Sequence, residues 1–172
     1  MTSKIQAESM NLADTYAFTG TVTGAGESNT PYFRATGTTF SPSNNTWTKM
    51  QMGSTTFTVG STYDTSNYRW TPNVAGYYYC YGVIRWYTNP GAANELKQDN
   101  AAIYKNGSAI FEDLGADRRD GSYPYATGCK AQTIVYLNGS SDYVELYGRM
   151  NSTGQCNVDG GNCQFTGFLI KT

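Results

Sequence analysis

Residues 70–80 of this 172-residue chain read Trp-Thr-Pro-Asn-Val-Ala-Gly-Tyr-Tyr-Tyr-Cys. Pro72 and Gly76 mark a turn, because proline presets one backbone angle and glycine tolerates conformations that other residues avoid. The tyrosines that follow favour an extended strand. This stretch therefore predicts a turn followed by the longest strand of the chain, which we place at residues 77–87.

Short strand-like runs punctuated by Gly, Pro and Asn continue on both sides of this stretch, from Pro31 onward. The chain has fifteen Tyr and nineteen Gly and shows hardly any helical periodicity, a mixture that favours strands and turns. Asn106-Gly107 is the preferred pair for a two-residue turn, so it predicts a hairpin. The predicted strands cover residues 33–35, 46–52, 55–59, 68–71, 77–87, 101–104, 109–111, 132–137, 143–148 and 164–170. This pattern predicts an all-β sandwich or barrel.

The first 30 residues differ in composition from the rest of the chain. They are polar and rich in small residues, and their few apolar side chains are too thinly spread to form a core. We therefore expect an extended N-terminal arm, residues 1–30, followed by a single head domain, residues 31–172. A disordered tail is the alternative to an arm that anchors the protein. Apolar runs are short, so we expect neither a signal peptide nor a membrane span.

The composition argues against several classes of function. The chain contains no His, which removes the Ser-His-Asp and Cys-His nucleophile systems and His-ligated metal sites. Its formal net charge of −1 provides no electrostatic basis for binding nucleic acid. A glycosidase needs two carboxylates that face one cleft, and no spacing in this sequence singles out a pair. The available carboxylates are Glu95, Asp99, Glu112, Asp113, Asp117 and Asp120. We therefore predict a protein that has no enzymatic activity and no cofactor.

Two of the four cysteines flank a Gly-rich loop. Cys156 and Cys163 could come close enough there to form a disulfide. Reduced thiols are the alternative, because the sequence shows no secretory signal. Together with Cys80 and Cys129 they lack the CxxC spacing of a zinc ribbon.

Several motifs follow one another in a recognisable order. They are Trp70-Thr71-Pro72 leading into Gly76-Tyr77-Tyr78-Tyr79, then Ile103-Tyr104-Lys105-Asn106-Gly107, Asp142-Tyr143-Val144 and Phe165-Thr166-Gly167-Phe168-Leu169-Ile170. In this order they resemble the core signature of the complement component one q family, whose globular heads share a jelly roll with the tumour necrosis factor family. The resemblance implies a jelly-roll β-sandwich of two antiparallel sheets. The Gly-x-y collagen stalk of the animal proteins is missing, so their complement role is not implied.

The resemblance also implies a homotrimer. In that family the sheet that contains the Tyr-rich strand and the closing strand packs its outer face against neighbouring subunits around a threefold axis. Period-two alternation divides the side chains of each strand between two faces, and the resemblance implies which of the two faces points inward. The predicted inward residues are Tyr78, Cys80, Val135, Leu137, Phe168 and Ile170. The predicted trimer-interface residues are Tyr77, Tyr79, Tyr81, Ile134, Tyr136, Phe165 and Leu169. Burial of some of these by the chain's own loops or arm is the alternative.

The N-terminal arm suggests to which kind of assembly such a head would be attached. Its leader, Ser3-Lys4-Ile5-Gln6 and then residues 19–24, looks like the attachment end of a bacteriophage virion protein. We therefore predict a viral structural protein, assembled into the virion in the host cytoplasm, whose arm contacts other virion proteins. Its head would bind the host surface, as a tail fibre or receptor-binding tip does, or decorate the capsid head. The alternative is a lectin-like carbohydrate-binding module of a bacterial protein, in which Trp47 or Trp86 would stack on sugars.

Loops at one end of a rigid sandwich are natural recognition surfaces for a host glycan or protein. The candidate loops are residues 88–100, 114–124 and 154–162, and a merely solvated loop is the alternative for each. The recognition residues proposed within them are Asn89, Asn94, Asp117, Arg118, Arg119 and Asp159. Some relatives in the resembled family bind calcium near the threefold axis. No acidic loop of that pattern is visible here, and Asp142 and Asp159 are the nearest candidates, so no motif supports a metal.

Overall fold

The computed structural model describes residues 29–88, 96–113, 115–118 and 124–172. Apart from one short 3-10 turn at Gly160–Asn162, the regular structure of these residues is all β. The strands are β1 Tyr32–Thr36, β2 Thr48–Lys49, β3 Ser54–Val59, β4 Tyr63–Asp64, β5 Arg69–Trp70, β6 Ala75–Thr88, β7 Leu96–Lys105, β8 Ser108–Asp113, β9 Ala126–Asn138, β10 Val144–Ser152, β11 Cys156–Val158 and β12 Gln164–Lys171. The predicted N-terminal arm lies outside the described residues, apart from its last two.

The strands form two antiparallel sheets that face each other. In the first sheet, β6 pairs with β9 along one edge and with β12 and β11 along the other, and β12 continues to β1 and β3. The second sheet has the order β4-β5-β10-β7-β8, and β2 also pairs with β10. The predicted sandwich of two antiparallel sheets is therefore confirmed.

The hydrophobic core lies between the two sheets and is rich in aromatic rings. Phe33 from the first sheet packs on Trp70 from the second, with ring centroids 4.6 Å apart. Phe165 and Trp86 are also completely buried. Burial of one such large apolar side chain stabilises a fold by about 1.5–3 kcal/mol. Trp86 therefore belongs to the core, and the prediction that it could stack on sugars is wrong.

Several predicted segments differ in length from the structure. β7 begins at Leu96, within the segment at residues 88–100 that was expected to be a loop. The strand expected at residues 46–52 shrinks to β2, because the chain turns after Lys49 so that Met50 and Met52 enter the core. The turn is held by the Met52 amide, which donates to the carbonyl of Met50 at 2.9 Å. Conversely, the segment at residues 154–162 that was expected to be a loop contains β11, which pairs with the end of β6.

The inward and outward faces of β12 are the reverse of the prediction. Phe165 and Leu169, predicted at the trimer interface, are buried in the core, whereas Phe168 and Ile170, predicted inside, are exposed. The cause is the register, since directly opposite residues of an antiparallel pair share a face. Gly167 lies opposite the buried Cys80, so the residues two positions to either side of Gly167 point inward as well.

The cysteines form no disulfide. All four are free and buried thiols. Cys156 pairs with Thr88 of β6, whereas Gln164, the residue after Cys163, pairs with Val83. Four residues of strand therefore separate the two cysteines, a distance of about 13 Å, and a disulfide requires Cα atoms within about 7 Å. The possible disulfide between Cys156 and Cys163 is therefore not formed, and both residues are reduced thiols.

Among the described residues, no helix is long and apolar enough to cross a membrane.

Candidate interface on the outer face of the first sheet

Strand register aligns a row of apolar side chains across the outer face of the first sheet. Tyr32 of β1 lies opposite Val59 of β3 and opposite Phe168 of β12. Phe168 in turn lies opposite Tyr79 of β6, and Tyr79 lies opposite Ile134 of β9. One row therefore crosses five strands, although its members are scattered along the chain.

Aromatic rings on either side of this row extend it into a band. Tyr77 and Tyr136 are directly opposite each other, with ring centroids 5.4 Å apart in an edge-to-face arrangement. Phe57 meets Tyr32 in the same way at 5.6 Å. We call these eight residues the aromatic band: Tyr32, Phe57, Val59, Tyr77, Tyr79, Ile134, Tyr136 and Phe168.

The band is open to solvent in the single chain. Ile134 is 62 % exposed, Tyr77 52 % and Tyr136 48 %. A monomeric soluble protein seldom leaves a continuous apolar patch of this kind uncovered, and such patches mark surfaces that bind a partner. The band is therefore a candidate interface.

Polar groups border the band. The next row along the sheet places Arg34 opposite Thr166, and Tyr81 opposite Gln132. The hydroxyl of Tyr79 donates to the side-chain oxygen of Gln132 at 2.8 Å, so that ring shows its apolar side to solvent while its polar atom is satisfied within the chain. An apolar centre with a polar rim is the usual composition of a protein interface.

The structure places most of the predicted interface residues on this face. Tyr77, Ile134 and Tyr136 are exposed there, and Tyr79 and Tyr81 are half-buried with the same orientation. Phe165 and Leu169 are core residues, as described above. Sequence analysis missed Tyr32, Phe57 and Phe168, because only the pairing of β1, β3 and β12 shows which of their alternate side chains point outward.

The outer face of the second sheet carries another aromatic group, whose half-buried rings contact one another or a cation. Tyr104 and Tyr147 stack on each other with centroids 3.9 Å apart. The guanidinium of Arg149 lies over the ring of Trp47, 5.2 Å from its centroid. Trp47 therefore already has a cation on one face, which leaves it less suited to stack on a sugar.

The three predicted recognition loops begin or end close together. The amide of Thr88, where β6 ends, donates to the carbonyl of Tyr125 at 2.9 Å, just before β9 begins. Cys156 of the third segment pairs with Thr88. Asn89, Asn94 and Arg119 lie outside the described residues, so their predicted contacts stay predictions.

The remaining predicted recognition residues have different environments. Arg118 binds the buried carboxylate of Asp99, with the two atoms 3.1 Å apart, so it has a structural role within the chain. Asp117 is exposed beside Gln98. Asp159 is half-buried and forms an ion pair with Arg85 at 3.3 Å. Asp117 and Arg118 lie where segment 114–124 pairs with residues 97 and 98 of segment 88–100, whereas Asp159 lies beside the end of β6.

Asp142 and Asp159, the residues that come nearest to a calcium-binding pattern in the sequence, form ion pairs and hydrogen bonds within the chain. One oxygen of Asp142 accepts from Lys105 at 2.8 Å and the other accepts from the side-chain amide of Asn106 at 2.8 Å. These hydrogen bonds, led by that from Lys105, lower the pKa of the Asp142 carboxyl. Within the described ranges, no three or more Cys, Asp or Glu residues are grouped so that they could hold a metal ion.

Comparisons with known proteins agree with this fold. No model of a known protein family matches the chain. Among solved structures, the crystal structure of murine APRIL at pH 5.0 is similar, with 10 % sequence identity and a TM-score of 0.55. The match covers 81 % of this chain and 98 % of that one. At this identity the likeness shows the fold alone, which is the jelly roll of the tumour necrosis factor type.

Proposed function

We propose that this chain is a non-enzymatic homotrimeric binding protein, in which the aromatic bands of three subunits pack around a threefold axis. The single observation that carries the proposal is the band itself. Eight apolar side chains lie in register on one flat face of the sheet, with three of them about half exposed or more. Jelly rolls of the tumour necrosis factor type are commonly homotrimeric, which supports the same assembly.

The proposal that the protein is not an enzyme is supported by the ion pairs that its buried carboxylates form within the chain. Asp99 binds Arg118, and Glu145 binds Lys49. Both acids are almost completely buried in these pairs. A general acid or nucleophile would have to reach a substrate, and these two carboxylates are held away from solvent.

We further propose that the trimer is a structural protein of a bacteriophage virion. The arm, residues 1–30, would attach it to other virion proteins, and the head would bind the host surface or decorate the particle. Support comes from the resemblance of the leader, Ser3-Lys4-Ile5-Gln6 and residues 19–24, to virion attachment ends. The alternative, a lectin-like module of a bacterial protein, uses the same head without the particle.

The oligomeric state tests the first part of the proposal. Size-exclusion chromatography with light scattering is expected to find three times the 18.8 kDa of one chain. Ile134→Asp is expected to produce monomers, because the charge would be buried in the interface without a partner. A stable wild-type monomer at micromolar concentration would refute the trimer.

A matched control separates loss of the interface from loss of the fold. Tyr68 is half-buried in the turn between β4 and β5, at the side of the second sheet, and has a positive φ of 54°. Asp tolerates that backbone conformation better than most residues. Tyr68→Asp is therefore expected to stay trimeric, whereas Tyr136→Asp, with the same chemical change on the band, is expected to dissociate.

Particles test the second part of the proposal. A phage that lacks the protein is expected to lose adsorption to its host if the head binds receptors, and to lose capsid stability if the head is a decoration. A chain without residues 1–30 is expected to remain a folded trimer but to be absent from particles. Incorporation of the truncated chain at the normal level would show that the arm is not the attachment.

A further inference from the structure

A small pocket lies at the end of the sandwich where the predicted recognition loops meet. It has a volume of about 230 Å³ and is lined by Arg85, Tyr87, Tyr125 and Asp159. Arg85 and Tyr87 come from the end of β6, Tyr125 precedes β9, and Asp159 follows β11. Three segments that are distant in sequence therefore each contribute to one cavity.

Backbone hydrogen bonds hold these segments in place. The amide of Asp159 donates to the carbonyl of Arg85 at 2.8 Å. The amide of Thr88, next to Tyr87, donates to the carbonyl of Tyr125 at 2.9 Å. Because the lining is fixed before a ligand arrives, little conformational entropy would be lost on binding.

The polar side chains of the pocket, Arg85 and Asp159, form an ion pair that can make further hydrogen bonds. One oxygen of Asp159 lies 3.3 Å from a guanidinium nitrogen of Arg85 in an ion pair, and it accepts a hydrogen bond from the side-chain amide of Asn162 at 2.9 Å. A carboxylate accepts up to about four hydrogen bonds and a guanidinium donates five. The side chains of Arg85 and Asp159 are 47 % and 28 % exposed, so both can reach a ligand.

The ring of Tyr125 supplies the apolar part of the pocket. It is 51 % exposed, and its backbone carbonyl is bound to the end of β6. An open aromatic face stacks on flat apolar surfaces, and its hydroxyl adds a polar contact. The small pocket is therefore lined by the aromatic ring of Tyr125, the carboxylate of Asp159 and the guanidinium of Arg85.

We propose that this pocket binds a neutral pyranose ring of a glycan, an inference that deepens the proposed function by naming the class of ligand that the head recognises. One face of such a ring carries C–H groups that stack on Tyr125. Two neighbouring hydroxyls donate to Asp159 and accept from Arg85, which makes both hydrogen bonds charge-assisted. The volume suits a single ring, because it lies below the roughly 300–1,000 Å³ of pockets that enclose drug-sized ligands.

The charge of the pocket excludes the main competing ligands. Arg85 would attract a phosphate or a carboxylated sugar, but the carboxylate of Asp159, 3.3 Å from it, would repel the same group. A neutral polyol uses both members of the pair at once. Hydroxyl pairs on adjacent carbons are typical of pyranoses, which is why the pair favours this class.

The test uses the purified trimer and a panel of methyl glycosides of neutral hexoses and N-acetylhexosamines, measured by calorimetry and ligand-observed NMR. At least one glycoside is expected to bind saturably. Tyr125→Ala and Asp159→Asn are each expected to weaken that binding by about tenfold or more, the order expected for one stacking contact or one charge-assisted hydrogen bond. Melting curves and light scattering on the same samples check that the variants are folded and trimeric.

Two control variants are matched in type and lie on the second sheet. Trp47→Ala removes the half-buried aromatic residue before β2 that was predicted from the sequence to stack on sugars, and Glu112→Gln neutralises an exposed carboxylate of β8. Both are expected to bind the glycoside as the wild type does. Equal binding by the pocket variants and the wild type would overturn the inference, as would stronger binding of inorganic phosphate or of glucuronate than of any neutral glycoside.

Failure of this inference is distinguishable from failure of the proposed function. A wild-type trimer that adsorbs to host cells but binds no glycoside of the panel would overturn the pocket proposal and leave the proposed function in place. A chain that binds the glycoside through Tyr125 and Asp159 but is monomeric would support the pocket and refute the trimer.

Discussion

Replacing Arg118 with Met is expected to destabilise the fold strongly, because the change leaves a buried carboxylate without its cation. Arg118 binds Asp99 at 3.1 Å and also donates to the hydroxyl of Thr127 at 2.8 Å. That hydroxyl in turn donates to the other oxygen of Asp99 at 3.2 Å. The Asp99 side chain is only 2 % exposed, so water cannot replace the lost partner.

The structure contains a second Arg–Asp pair that sets the scale of the effect. Arg85 and Asp159 are separated by 3.3 Å, and their side chains are 47 % and 28 % exposed. Breaking a buried pair costs about 3–5 kcal/mol, and we take the lower end because Arg118 itself is partly exposed. An exposed pair is worth about 0–1 kcal/mol. Arg118→Met is therefore expected to cost about 3 kcal/mol and Arg85→Met less than about 1 kcal/mol.

Denaturant unfolding at one fixed protein concentration measures the difference, since assembly makes stability depend on concentration. For a domain of this size the melting temperature of Arg118→Met is expected to fall by about 6–12 °C. Adding Asp99→Asn to Arg118→Met is expected to restore part of the loss, because the uncompensated charge is then gone. Equal shifts for Arg118→Met and Arg85→Met would refute the reasoning and return Arg118 to the set of candidate recognition residues.

Two further predictions concern the core. Gly148→Ala is expected to cost about 1–3 kcal/mol of unfolding free energy through overpacking, since its new Cβ would lie 2.7 Å from side-chain atoms of Ile84 and Trp86. Gly128→Ala, whose Cβ would meet only a carbonyl at 3.4 Å, is the control and is expected to be neutral or slightly stabilising; equal losses in denaturant unfolding would contradict the packing described. Burial raises the pKa of Cys80 to about 12 and that of Cys163 to about 11, so both thiols stay protonated at pH 8 and the native protein is expected to resist a thiol-specific chromogenic reagent. All four thiols are expected to react after unfolding without reductant, and a count of two would reveal a disulfide.

Local sequence signals were sufficient for the elements whose structure depends on neighbouring residues. The turn predicted at Pro72 leads into β6, which begins at Ala75 and therefore includes Gly76, and the Asn106-Gly107 turn joins β7 to β8 with both φ angles positive, at 51° and 79°. The alternation of β6 also placed Tyr77 outside and Tyr78 inside, as the structure has them. These features follow from backbone preferences and from a strand long enough to show its period.

Features that depend on pairing between distant strands were beyond the sequence alone. β12 contains apolar residues on both of its faces, so alternation leaves two equivalent phases, and only its register with β6 selects the one that buries Phe165. β11 is three residues long and lies between Gly-rich turns, and its pairing with β6 is what makes it a strand. Arg118 was assigned to recognition because nothing near it in sequence indicates the buried Asp99.

Strand register also places the aromatic band on the face of the sheet and not along its edge. This position determines how copies of the chain could associate. Contacts through a sheet edge add strands and can continue without limit, whereas contacts through a face use side chains and can close around an axis. The most exposed member of the band, Ile134, lies on the edge strand β9, but its row continues inward through Tyr79 and Phe168 to β1 and β3. A partner that covered only the edge would leave Tyr32 and Phe57 in water, so covering the whole band requires a surface that lies flat on the sheet. A second and a third copy of this chain, each packing against the face of the next, would satisfy that requirement.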